Sequence, residues 1–384
     1  MADVRDRLAR LDPLLVLAVV AAAAFFAFIY VIDPNRPGLA APQGWFGYFD
    51  QGAYLNMANQ MADFHLASEA FRYGPVYPAL AVPFVWLGLD YDPFSVVNGL
   101  ALVATIAMTF IVGTRIGGRA VGAIAAFGLL FATPIVGFMA QPWNSTVSIV
   151  TVLVVLVVAT NERVGTWSAL ALGLAPALAF GARYVDGVFV GIIALAVLII
   201  RRREWSIRDL IAMGGSFAII VGGVLLMQAS ILGSPFTTPY AFTTRAEQPG
   251  VNDQDLGAYS LGMVPRSLFG MFVSPFLLGE RFGGASMLQS AFWFLLAIPG
   301  VAVAWARAGR IRVALVTAAA VSLLAVIFYG SFRGGGPGSL QFGSLHYFKA
   351  WWPLWALLAA LAFIWVAKWT PNRTPEQQDE AAGP

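Results

Sequence analysis

Almost every apolar stretch of this 384-residue chain is 15 to 25 residues long and bounded by Arg, Pro or Gly. A helix of roughly 20 apolar residues crosses the hydrocarbon core of a bilayer, where the backbone must satisfy its own hydrogen bonds because no water is present. Charged residues make up only 11% of the chain and hydrophobic ones 59%. A water-soluble domain carries about 25% charged residues, so this chain could not cover its surface in water. The expected solvent is lipid, and the expected fold is all-α: a polytopic transmembrane helix bundle. Residues 1–370 read as a single domain and 371–384 as a disordered tail, since no charged segment is long enough to fold on its own.

The spacing predicts about ten spans, near 13–32, 94–113, 119–140, 146–160, 165–181, 186–200, 208–232, 286–305, 311–330 and 346–367. The segment from Val76 to Leu89 is apolar but broken by Pro78 and Pro83, and is read as juxtamembrane. With that reading Arg5, Arg7, Arg10, Arg115, Arg119, Arg163, Arg201, Arg202, Arg203, Arg208, Arg307, Arg310, Arg312, Lys368 and Arg373 share one side. They are most of the 23 basic residues, and nearly all lie in short loops, where a positive bias marks the cytoplasmic face. Both termini are then cytoplasmic, in a multi-pass protein of the inner or plasma membrane. The apolar core after Arg10 is about 20 residues long, too long for a signal peptide, and predicts an uncleaved first span. Absence of Cys excludes disulfides, thiolate metal sites and Cys nucleophiles. The net charge of +3 belongs to topology, not to nucleic-acid binding.

The long loops, 33–93, 233–285 and 331–345, fall on the outer side with most carboxylates outside the tail, so that face is where chemistry is expected. The first of them holds Asp50-Gln-Gly-Ala-Tyr54-Leu-Asn56-Met-Ala-Asn-Gln-Met61. Here Tyr54, Met57, Ala58 and Met61 recur at helical spacing. That pattern predicts an amphipathic juxtamembrane helix on the outer surface, with Asp50 at its amino end. A carboxylate there also suits a helix N-cap, a purely structural role.

This loop, continued by Tyr73-Gly74-Pro75-Val-Tyr77-Pro78, resembles the first outer loop of the GT-C glycosyltransferases, such as the protein mannosyltransferases and the lipid A aminoarabinose transferases. Gly74 stands where that family's loop has the first of two prolines. The resemblance extends through Gly181-Ala-Arg183-Tyr-Val-Asp186 to His346-Tyr-Phe-Lys349-Ala-Trp-Trp-Pro353. It rests on the order and topology of these segments more than on any one motif. It implies transfer of a sugar from a polyprenyl-phosphate carrier to a glycan, lipid or protein acceptor of the cell envelope, at the outer membrane face. It implies Asp50 as general base, Tyr54 beside it, and Arg183 facing the carrier phosphate. The chemistry is coherent: polyprenyl phosphate leaves as a stable anion, while the acceptor hydroxyl needs a base.

Arg183 and Asp186 lie at the turn between two short spans, and charge at membrane depth tends to mark function, which makes both, with Tyr54, candidate substrate-binding residues; the alternative is a local ion pair. Glu280, Arg281, His346 and Lys349 are further candidates for binding phosphate or acceptor. Gly-rich Arg333-Gly-Gly-Gly336 lacks the flanking strand and helix of a nucleotide loop, and reads as a flexible connection. The Trp and Phe stripes, including Trp351 and Trp352, read as anchors at the membrane interface. Some relatives carry an acidic residue in the loop after the third span that helps bind a divalent metal. Gln141-Pro-Trp143-Asn144-Ser-Thr146 has none, so the sequence does not support such a site, and His65 and His346 are too distant in sequence to suggest zinc. The competing reading is a transporter or flippase, which would place polar or charged residues along a path through the spans; these are almost free of charge. A glycan polymerase or ligase, or a non-catalytic partner, would share the location and is poorly separated by sequence.

Overall fold

The computed structural model describes residues 12–32, 49–132, 137, 139–239, 261–269, 291–331 and 347–368. Among them the chain is helical with no strands. Twelve helices follow in order: α1 Pro13–Ile32, α2 Phe49–Ala62, α3 Val76–Trp86, α4 Phe94–Gly117, α5 Arg119–Phe131, α6 Ser145–Thr160, α7 Thr166–Ala182, α8 Tyr184–Ile200, α9 Ile207–Leu232, α10 Ala297–Trp305, α11 Gly309–Gly330 and α12 Trp352–Lys368. A short helical turn lies at Val264–Leu268. Tight 3-10 turns, Phe292–Leu296 and Lys349–Trp351, lead into α10 and α12. Among the described residues five helical segments are long and apolar enough to cross a membrane: α1, α4, α9, α11 and Lys349–Lys368. Helices α3, α5, α6, α7, α8 and the segment Phe292–Trp305 are apolar but shorter.

Each of the ten apolar intervals falls on a helix, with two differences inside them. The third was expected to run to 140, but α5 ends at Phe131. Ala132 leaves helical geometry (φ −76°, ψ 77°), and residues 133–136 and 138 lie outside the described residues. Helix α12 starts at Trp352 after a 3-10 turn, so Pro353 falls in its first turn, where a missing N–H is harmless.

Side-chain contacts sort the helix ends into two groups. At one end Arg119 pairs with Asp12 through Nε (3.1 Å) and Nη2 (2.8 Å), and Arg115 donates to the Val157 carbonyl (3.2 Å). Thr166 donates to Asp209 (3.0 Å) there, and Arg310 lies 3.9 Å from Glu204. Arg201 is almost wholly buried and donates to the carbonyls of Val158 (2.8 Å), Asn161 (2.8 Å) and Glu162 (3.3 Å). It thus satisfies the acceptors that α6 leaves open at its C-terminus. At the other end Tyr30 hydrogen-bonds Asp92, Asn144 donates to the Ala182 carbonyl (3.1 Å), and Gln228 donates to the Tyr184 hydroxyl (2.8 Å). Of the basic residues that the charge bias puts together, Arg115, Arg119, Arg201 and Arg310 meet at this first end. Helix α3 stays at the other: 11 residues rise only about 16 Å. Its first turn is tied to α4 by Tyr77 to Asn98 (3.0 Å), and its last residue, Trp86, donates to the Ala62 carbonyl (3.0 Å).

One large apolar core joins α1, α4–α8 and α10–α12. Close approach relies on small residues: a Cβ on Gly113 of α4 would stand 2.6 Å from the Cα of Gly122 on α5. Trp351 and Trp352 belong inside this core, 1% and 0% exposed, and are not interface anchors. The 3-10 turn that carries Trp351 and leads into Trp352 packs against α6, and Trp351 meets Phe189 edge-on at 6.2 Å. Exposed tryptophans are instead Trp86, Trp167, Trp305 and Trp365. A second, smaller core gathers Tyr54, Leu55, Ala58, Tyr77, Phe94, Trp143 and Ala182 beneath the polar end of the bundle.

Candidate functional site

Helix α2 forms where the spacing predicts it, and it buries Tyr54, Leu55, Met57 and Ala58. That face packs against α3 and is thereby held by protein, not only by a lipid surface. Asp50 sits inside the first turn of α2 and not ahead of it, so it is not the N-cap residue. Its Oδ1 accepts a 2.5 Å hydrogen bond from the Tyr73 hydroxyl, 23 residues later. The Tyr73 ring lies on Tyr54, centroids 4.7 Å apart, and Tyr54 meets Tyr77 edge-on at 5.4 Å.

What holds Tyr73 in place is an interlock of two backbones. A Cβ at Gly74 would stand 2.4 Å from the Gly181 carbonyl oxygen and 2.6 Å from that of Ala182. A Cβ at Gly181 would in turn stand 2.3 Å from a methyl of Val76. The loop carrying Tyr73 is therefore pressed against the end of α7, immediately before Arg183. A proline at 74 would not fit, because its ring carbons occupy the space that the carbonyls fill.

At Arg183 the chain is extended (φ −148°, ψ 112°), and this break separates α7 from α8. The guanidinium lies 4.8 Å and 4.7 Å from the ring centroids of Tyr329 and Tyr347, within cation–π range. These two rings stack on each other at 5.1 Å. Arg183 Nη1 is 3.3 Å from Asp186 Oδ2, in poor alignment for a hydrogen bond, so among the described residues it is a buried donor without an acceptor. A buried guanidinium N–H in this state is suited to an anionic oxygen.

Between these groups lies a cavity of about 370 Å³. Asp50, Arg72, Tyr73, Arg183, Tyr329 and Tyr347 line it, with Tyr54 and Asn144. Among the described residues it joins one carboxylate, two guanidinium groups and a wall of phenol rings at one end of an apolar bundle. Burial raises the Asp50 carboxyl above the usual range, opposed by the Tyr73 hydrogen bond and the charge of Arg72. Burial likewise raises the Tyr73 phenol, so it remains a donor.

No protein-family model matches the sequence, and no curated protein matches it at a significant level. The fold does match solved structures. The crystal structure of ArnT (aminoarabinose transferase) from Cupriavidus metallidurans bound to undecaprenyl phosphate superposes with a TM-score of 0.58 at 16% identity, over 95% of this chain and 61% of that one. The apo state of ArnT gives a TM-score of 0.58 at 14% identity, over 94% and 61%. This is the GT-C fold. An oligosaccharyltransferase from Archaeoglobus fulgidus overlays more loosely, with a TM-score of 0.46 at 12% identity over 91% of this chain and 49% of that one. The chain spans about three fifths of the ArnT length, 61%.

On this GT-C fold Asp50, Tyr54 and Arg183 share the cavity wall. Asp186 does not line it: the residue is 2% exposed and sits behind Arg183. Lys349 is also outside the wall, fully buried and donating to the Thr146 hydroxyl at 2.7 Å. Glu280, Arg281, His346 and the loop 331–345, apart from Ser331, lie outside the described residues, as does the tail 371–384. Arg72, Tyr329 and Tyr347 line the cavity without having been expected there from the sequence. Arg72 carries a usable signal, since it is a basic residue next to the Tyr73-Gly74-Pro75 segment in a loop poor in cations. Tyr329 and Tyr347 have none that separates them from other aromatics at helix ends. The donors around Asp50 do not suit a divalent cation. Among the described residues no second carboxylate lines the cavity, and two guanidinium groups do. The Asn144 amide nitrogen is spent on the Ala182 carbonyl.

Proposed function

We propose that this chain is a membrane glycosyltransferase that moves a sugar from a polyprenyl-phosphate carrier to an envelope acceptor at the extracytoplasmic face. The observation that carries the reading is the joint presence of Asp50 and Arg183 on one cavity wall at one end of the bundle. In this reading the bundle crosses the membrane about ten times, with α2 and α3 juxtamembrane and both termini cytoplasmic. The end holding Arg115, Arg119, Arg201 and Arg310 faces the cytoplasm. ArnT was solved with a polyprenyl phosphate bound, and the shared fold supports the same class of donor here.

The acceptor hydroxyl gives its proton to Asp50 as its oxygen bonds to the anomeric carbon of the sugar. The bond from that carbon to the phosphate oxygen breaks, and its electron pair leaves with polyprenyl phosphate. Arg183 meets the charge on that phosphate, so no general acid is needed. Burial makes Asp50 a stronger base than an exposed aspartate, which suits proton abstraction near neutral pH. Tyr73 holds one carboxylate oxygen and leaves the other for the acceptor.

The test is sugar transfer from a polyprenyl-phosphate donor by purified, reconstituted protein, with folding followed by thermal melting. Asp50→Asn should cut the rate by roughly 10²–10⁴, the usual span for a lost general base, with little change in melting. Arg183→Lys keeps the charge but loses the planar fork, and should weaken use of the donor more than it slows chemistry. Parent-like turnover by Asp50→Asn would remove the catalytic assignment.

A further inference from the structure

Asp186 was expected among the substrate-binding residues, but its surroundings suit another task. Its side chain is 2% exposed and both oxygens are committed. Oδ1 accepts from the Tyr329 hydroxyl at 2.5 Å, and Oδ2 accepts from the Ser148 hydroxyl at 2.5 Å while lying 3.3 Å from Arg183 Nη1. A carboxylate enclosed in this way has no face left for a sugar hydroxyl or a phosphate.

We infer that Asp186, held by the hydroxyls of Ser148 and Tyr329, is a positioning residue that fixes the Arg183 guanidinium as the anion receptor of the cavity. The inference rests on the reading of Arg183 as the partner of the carrier phosphate. Three helices meet at this carboxylate: Ser148 belongs to α6, Asp186 to the first turn of α8, and Tyr329 to the last turn of α11. A lone carboxylate in an apolar bundle is costly, and so is a lone guanidinium; the pair exists because each neutralises the other. The two hydroxyls take up the carboxylate lone pairs that Arg183 does not use. They set the direction of the pair and keep Asp186 from drawing Arg183 further out of the cavity.

Tyr329 acts twice in this arrangement. Its ring lies against the Arg183 guanidinium and stacks on Tyr347, while its hydroxyl holds Asp186. The anion receptor therefore takes its orientation from α11, which is 143 residues away from Asp186 in sequence. A guanidinium flanked by rings on one side and a carboxylate on the other has little rotational freedom. A phosphate then meets donors already aimed, and binding does not have to order a flexible side chain.

Charge and orientation can be separated by choosing hydroxyl variants. Tyr329→Phe keeps the ring and every formal charge and removes only the donor to Asp186. Ser148→Ala does the same from α6. Asp186→Asn changes the charge beside the phosphate as well, so it is the poorer probe. The measurement is the dissociation constant for undecaprenyl phosphate, without sugar, in mixed micelles of the full chain, with melting recorded for each variant. Tyr329→Phe and Ser148→Ala should each weaken binding, by roughly ten-fold for the tyrosine, the scale of a hydrogen bond to a charged group. In an Arg183→Lys background, where the fork is already gone, neither should weaken it further, a non-additivity that a general loss of packing does not produce. Unchanged binding in both hydroxyl variants, with Arg183→Ala impaired, overturns the positioning role and leaves the phosphate reading standing. Additive losses in the Arg183→Lys background overturn it too. Unchanged binding in Arg183→Ala instead overturns the phosphate reading, and the positioning role with it.

Discussion

Tyr73→Phe removes one atom, the hydroxyl that donates to Asp50 at 2.5 Å, and keeps the ring that packs on Tyr54. The groups facing Asp50 across the cavity are then Arg72, Arg183, Tyr54 and Tyr347. Burial lifts the Asp50 carboxyl, while the Tyr73 hydrogen bond and Arg72 pull it down. Losing the hydroxyl removes a downward influence, so the carboxyl must rise. A hydrogen bond to a charged group is worth about 1.5–3 kcal/mol, and about 1.4 kcal/mol corresponds to one pH unit. The expected rise is therefore roughly one to two units. A general base works only when ionised, so activity is present above its pKa and lost as pH falls through it. The acid limb of kcat/KM against pH should move to higher pH by that amount in Tyr73→Phe. Well above the limb the rate should approach that of the parent, since the freed carboxylate is the stronger base. The assay is transfer from a polyprenyl-phosphate donor between about pH 5 and 9, with melting checked at each end. Parent-like rates with an unmoved limb would show that Tyr73 only packs, because phenylalanine keeps the ring against Tyr54. A limb displaced to lower pH would contradict the sign of the argument.

Arg201→Ala should destabilise by about 2–4 kcal/mol, because it strands three carbonyls at the end of α6, whereas Arg202→Ala, at an exposed position, should stay within about 0.5 kcal/mol; melting in one detergent compares them. Gly74→Ala puts a Cβ 2.4 Å from a backbone oxygen, so it should cost roughly 1–3 kcal/mol in melting and should lower transfer by parting Tyr73 from Arg183. Single cysteines label cleanly in a chain with none of its own. In intact cells an impermeant reagent should reach position 69 and not 202, and labelling at 202 would reverse the proposed orientation.

Much of the framework could be read without coordinates. Helix positions followed from apolar runs, and the grouping of Arg115, Arg119, Arg201 and Arg310 at one end followed from the charge bias. Asp50, Tyr54 and Arg183 were picked out by order along the chain and by resemblance, and the fold brings them to one cavity. Other features were closed to that kind of reading. Arg201, Arg202 and Arg203 are equivalent in sequence, yet only Arg201 is buried against carbonyls. Trp351 and Trp352 look like interface residues until the 3-10 turn carries them inward. Lys349 looks like a phosphate ligand until Thr146, 203 residues away, is found to hold it.

The division has a physical cause. Transfer of an apolar run from water to lipid is a property of that run, and retention of a basic loop is a property of that loop; both are nearly additive along the chain. Sequence alone therefore determined that this protein is a helical membrane bundle, and where its helices lie. Which helix ends meet depends on packing between residues far apart, and on the rule that every buried charge finds a partner. Tertiary structure alone decided that Tyr329 reaches Asp186, that Gly74 fits under the carbonyls of α7, and that Asp50 and Arg183 face one cavity.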